Sequence, residues 1–104
     1  MIAKTPPIKM TKITKATRGR PCYLSFPGCS GGGEDTVPCH SPFREDSQGW
    51  GQKSHDFLVV PGCMSCHDIL DQRNRSATEE TRRDHYHRAL KRWLETLFRE
   101  GIVR

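Results

Sequence analysis

The run Cys63-Met64-Ser65-Cys66, closed directly by His67, constrains this chain more than any other stretch of it. Two thiolates two residues apart share one backbone knuckle and can both reach a single tetrahedral ion, and an upstream pair, Cys22 and Cys29, completes the shell for a structural zinc. The upstream pair is spaced more widely than zinc-binding pairs usually are, so its sulfurs come from the ends of a longer loop turned by Pro27-Gly28. A redox C-x-x-C would need a βαβ context that the chain lacks, and an odd total of five cysteines argues against a framework made only of disulfides. The fifth, Cys39, is either a replacement ligand for Cys22 or Cys29 or a small buried apolar side chain.

A metal staple suits a chain of 104 residues with only 34% hydrophobic content, which makes one small domain with a limited core. No apolar leader follows Met1, and no run approaches the ~20 residues that span a bilayer. The expectation is a cytoplasmic protein with reduced thiols and no membrane partner. The net charge of +5 points to a polyanion, because clustered Lys and Arg release counterions when they meet phosphates. Nucleic acid, DNA above all, is the expected partner, with Arg18, Arg20, Lys53, Arg73 and Arg75 as the contacting residues.

The organisation expected is a basic arm over residues 1–17, flexible or loosely docked, and a single zinc-binding domain over residues 18–104. Residues 36–40 read as a short strand that Pro38 confines to an edge. Residues 41–55 form a polar loop, and residues 57–60 a buried strand that Pro61-Gly62 breaks. A helix then spans residues 64–73 with Ile69 and Leu70 facing inward. Ser76 and Glu79 fit a capping box for a long C-terminal helix, on which Tyr86, Leu90, Trp93, Leu94, Leu97 and Phe98 recur as an apolar stripe until Gly101 ends it. That stripe covers the core and is also a candidate homodimer surface. The fold class is therefore α+β, a small zinc-stapled domain with a long amphipathic C-terminal helix.

Four residues apart on one helical face, His67 and Asp71 can share a divalent cation such as magnesium, or simply hydrogen-bond to each other at the surface. His40, at a strand end, is the candidate general base, since imidazole titrates near neutrality. Asp56, beside His55, is the group expected to orient that base or to add a ligand. His85 and His87 read as residues of a polar helix face.

Cys22 and Cys29 as a loop pair, His40 in a strand, and Cys63-Met64-Ser65-Cys66-His67 opening a helix together resemble the ββα-metal, or HNH, endonuclease superfamily in its zinc-bearing treble-clef form. More narrowly, Gly19-Arg20, Pro27-Gly28, Gly49-x-Gly51-x-Lys53 with Asp56, and Cys63-x-x-Cys66-His67-Asp68 with Asp71 and Arg73 are similar to a family of small nucleases encoded by phages and prophages. The resemblance covers residues 18–73 by motif and the C-terminal helix by length and character. It implies a metal-dependent endonuclease that hydrolyses phosphodiester bonds in phage or prophage DNA recombination or processing. On that likeness His40 is the base, His67 the first helical metal ligand and Asp71 the second. Two positions depart from the superfamily: Cys39 stands where Asp or His often precedes the base, and the middle Asn is replaced within residues 54–56. A non-catalytic zinc-stabilised DNA-binding module would use the same cysteines and basic surface while leaving His40 and His67 idle. An adaptor for protein partners would leave the positive charge unexplained.

Overall fold

In the computed structural model, which describes residues 11–43 and 57–103, the chain runs α1 (Thr11–Ala16), β1 (Val37–His40), β2 (Val59–Gly62), α2 (Met64–Leu70) and α3 (Glu79–Arg99). This is an α+β domain in which one antiparallel two-stranded sheet lies against α2 and α3. Among the described residues no helix is long and apolar enough to cross a membrane.

The strands pair with Val37 opposite Gly62, Pro38 opposite Pro61, Cys39 opposite Val60 and His40 opposite Val59. Pro61 and Gly62 therefore lie inside β2, two residues beyond where the apolar run of residues 57–60 placed the strand. The register explains the difference. Ser41 N–H donates to Leu58 C=O at 3.1 Å, and hydrogen-bonded and non-hydrogen-bonded pairs alternate along an antiparallel ladder. Pro38 and Pro61 thus meet at a non-hydrogen-bonded pair, where neither missing amide is called upon. Gly62 is required for a separate reason: a Cβ there would lie 2.7 Å from Leu24 Cδ1 and 2.8 Å from Cys39 Sγ.

Residues 11–16 of the arm, expected as flexible or loosely docked and without a helix, form the docked helix α1, while residues 1–10 lie outside the described part. One apolar anchor, Ile13, is 1% exposed. The Thr17 hydroxyl donates to Thr14 C=O at 2.7 Å, and Arg20 Nε donates to Ala16 C=O at 3.0 Å, so the last turn is satisfied from downstream.

Helix α2 is shorter than expected because Asp71 is its C-cap and Gln72 takes the left-handed conformation at φ 65°. Helix α3 is capped by Thr78, whose hydroxyl accepts from Thr81 N–H at 3.1 Å; Ser76, expected in that role, gives its amide to Asn74 Oδ1 at 3.0 Å. At the other end Gly101, at φ 72°, donates to Phe98 C=O and Ile102 to Leu97 C=O, the paired bonds of a Schellman ending.

The buried stripe of α3 is Arg82, Tyr86, Ala89, Trp93 and Leu97. It is rotated from the expected one, so that Leu90 and Leu94 are half-buried and Phe98 is 56% exposed. The stripe meets Ile13, Leu24, Phe26, Val59, Val60, Ile69 and Leu70 in a single core.

Candidate functional site

Two backbone devices bring the four cysteines together. The first loop is closed at its neck by Cys22 N–H to Gly31 C=O at 2.9 Å and turned by Cys29 N–H to Phe26 C=O at 3.0 Å. Tyr23 N–H donates to Pro61 C=O at 2.9 Å, and Ser65 Oγ donates to Gly28 C=O at 3.2 Å, tying that loop to β2 and α2. The second device is the start of α2, where Cys63 is the N-cap and its sulfur accepts from Cys66 N–H at 3.4 Å. As a result the four sulfurs of Cys22, Cys29, Cys63 and Cys66 all lie within 4.8 Å of one another. Cys29 and Cys63 are 3.8 Å apart at sulfur. With a Zn–S bond of ~2.3 Å a regular tetrahedron has edges of ~3.8 Å. All five cysteines are free thiols, and the cluster can hold a metal ion such as zinc.

The close packing of the sulfurs drives their proton affinities apart, two down and two up. A hydrogen bond from the Cys66 thiol, aided by the Ser25 amide, lowers Cys22 to about 4, and the same bond raises Cys66. Burial pushes the Cys63 thiol up, but hydrogen bonds from Ser30 and the Cys66 amide bring it below the ordinary range. Burial raises Cys29 against the amide of Gly31, which lies 3.2 Å from its sulfur. Amides aimed at sulfur offset the negative charge that four thiolates would carry around one divalent ion.

Cys39 lies outside this cluster. It is fully buried, and burial together with the negative charge of Asp71 pushes its thiol up, so it packs as a small apolar side chain and is no replacement ligand.

Immediately after the last ligand, His67 Nε2 lies 3.1 Å from Asp71 Oδ2. Their hydrogen bond raises the imidazole and lowers the carboxyl. His67 Nδ1 is buried with no hydrogen-bond partner among the described residues. Two ligand atoms at ~2.1 Å from an octahedral ion, at right angles, are ~3.0 Å apart. The 3.1 Å separation matches that spacing and equally that of the hydrogen bond the two residues make.

His40 closes β1 and is exposed, while Cys39 before it points into the core, as period-2 alternation requires. Helix α2 packs on that strand, and the charge of Asp71 reaches Cys39, the residue before His40.

The expected nucleic-acid residues divide. Arg18, Arg73 and Arg75 are exposed, and the charge of Arg73 acts on both His67 and Asp71. Arg20 is engaged elsewhere, in a bidentate pair with Glu100 at 2.6 Å for each bond and over the ring of Trp93 at 5.2 Å. Lys53 and Asp56 lie outside the described residues.

His85, read as a polar-face residue, holds the cysteine loop to α3. Its Nδ1 is 2.9 Å from Leu24 C=O, and its ring stacks on Phe26 with centroids 4.6 Å apart. The sequence carries no local signal for this, because His87 flanks Tyr86 just as closely and is exposed.

Comparisons with known proteins bear on what such a site belongs to. The chain is 37% identical over 65 residues to "Putative nuclease YbcO" of Escherichia coli (strain K12), covering 62% of this chain and 67% of that protein. A protein of the same description from Enterobacteria phage 82 matches with the same identity and coverage. Among solved structures, one titled "Structure of a putative bacteriophage protein from Escherichia coli str. K-12 substr. MG1655" superposes with a TM-score of 0.71 at 27% identity, over 86% of this chain and 99% of that one. The family model described as "Putative nuclease YbcO" matches residues 11–102, from the docked first helix through the cysteine cluster to Ile102, just past the glycine that ends α3, and the chain belongs to that family.

Proposed function

We propose that this chain is a metal-dependent endonuclease of the HNH, ββα-metal type that hydrolyses phosphodiester bonds in DNA during phage or prophage DNA recombination or processing. The observation that carries the reading is the placement of His67. It follows the last cysteine of the cluster directly, pairs with Asp71 at 3.1 Å, and sits on a helix packed against the strand that ends in His40. The nuclease description of the family and the phage origin of one relative agree with it.

In this reading Cys22, Cys29, Cys63 and Cys66 hold a structural zinc that fixes the start of α2. A divalent ion such as magnesium on His67 and Asp71 would polarise the phosphodiester and neutralise charge on the leaving oxygen. His40 takes the proton of the attacking water on its neutral imidazole. Asp56 orients that imidazole, and Arg18, Lys53, Arg73 and Arg75 contact backbone phosphates. Arg20 is left out of this set because Glu100 occupies it.

Plasmid nicking by purified protein with added magnesium, manganese, nickel or zinc tests the reading. His40→Ala should reduce nicking by on the order of 100- to 10,000-fold while keeping bound zinc. His67→Ala should do the same and also remove the dependence on added divalent ion. If the wild type cuts no nucleic acid with any of these ions, the chain is a zinc-stabilised DNA-binding module; if it cuts and His40→Ala cuts at the wild-type rate, His40 is not the base.

A further inference from the structure

Arg82 is a charged residue on the buried face of α3, only 5% exposed. Its Nε and Nη2 both donate to Leu70 C=O, at 3.0 and 2.5 Å. Leu70 is the last residue of α2, and a terminal helical carbonyl has no partner of its own. The next residue is Asp71, the C-cap of α2. One turn further along α3, the fully buried Tyr86 donates its hydroxyl to Leu58 C=O at 2.6 Å and reaches Cys39 C=O at the limiting distance of 3.5 Å. Leu58 C=O is also the acceptor of Ser41 N–H, directly after His40. Burying a guanidinium and a phenol is costly unless their polar ends are used, and Met and Phe would fill the same space.

We propose that Arg82 and Tyr86 are positioning residues of the hydrolytic site: from adjacent turns of α3 they hold the backbone beside Asp71 and beside His40, and so fix the separation of the metal-binding pair from the base. The proposal rests on the hydrolytic reading above. It makes α3 a ruler laid across the site rather than only a cover for the core.

The test uses full-length Arg82→Met, Arg82→Lys and Tyr86→Phe, each measured for bound zinc, melting temperature, kcat, KM and the manganese concentration that half-saturates nicking. Tyr86→Phe should keep its zinc and its KM and lose roughly 10- to 100-fold in kcat, the usual effect of removing an outer-shell partner. Arg82→Met should raise the half-saturating manganese by roughly 10-fold or more, and Arg82→Lys, whose ammonium can still donate to Leu70 C=O, should recover part of that loss. If Arg82→Met does not fold, the other two variants decide by the same readouts. Folded, zinc-loaded variants that melt earlier yet keep wild-type kcat and manganese dependence would show a structural role alone and overturn the proposal. A wild type without cleavage overturns the hydrolytic reading itself, whereas wild-type cleavage that is lost in His40→Ala and kept in these variants overturns only the positioning role.

Discussion

Cys39 and Cys63 are both fully buried, yet geometry gives them opposite fates. Cys63 caps α2 and shares its sulfur with the cluster, whereas Cys39 faces the core as a protonated thiol. Cys39→Ala should therefore retain the metal and cost about 1 kcal/mol of stability, the loss of one packed sulfur. Cys63→Ser should lose the metal and unfold, because metal affinity and folding free energy are coupled in small sites. Metal analysis with thermal melts of both variants checks the contrast, and a metal-free Cys63→Ser of full stability would refute it. The grouping of Cys22, Cys29, Cys63 and Cys66 was legible from the sequence because cysteine spacing is a local constraint that the backbone must honour. Arg82 and His85 were not, since a polar residue near a helix stripe has no local mark that says it turns inward to meet a carbonyl from another element.

At the scale of elements, the existence and order of strand, strand, helix and long helix could be read from apolar runs and turn residues, while their ends could not. β2 runs through Pro61 because the residue facing it is also a proline at a pair that needs no amide, a fact of register and not of propensity. The cap of α3 moved from Ser76 to Thr78 because Asn74 draws the amide of Ser76 into its own turn. Thr78→Ala should accordingly destabilise the domain by about 1 kcal/mol, whereas Ser76→Ala should stay within about 0.5 kcal/mol. Denaturant unfolding of the two variants distinguishes them, and equal losses would place the cap elsewhere. Helix α1 escaped notice because a single buried side chain, Ile13, holds it and leaves no period to detect.

For the whole molecule, the excess positive charge should govern affinity for DNA. If Arg18, Lys53, Arg73 and Arg75 make four phosphate contacts, binding should weaken by roughly 100-fold between 50 and 200 mM salt. Fluorescence anisotropy with a labelled duplex measures this, and an affinity indifferent to salt would reject the basic surface as the binding face. The facing prolines also bear on how copies of the chain can meet. At a non-hydrogen-bonded pair the amide positions point away from the partner strand, so Pro38 removes a donor from the middle of the outer margin of β1, and on β2 the outward carbonyl of Pro61 is already taken by Tyr23. Among the described residues both margins thus lack part of the alternating row of donors and acceptors that a visiting strand would read, which disfavours the ribbon as a template for β-addition or fibril growth and leaves side-chain surfaces for association between copies.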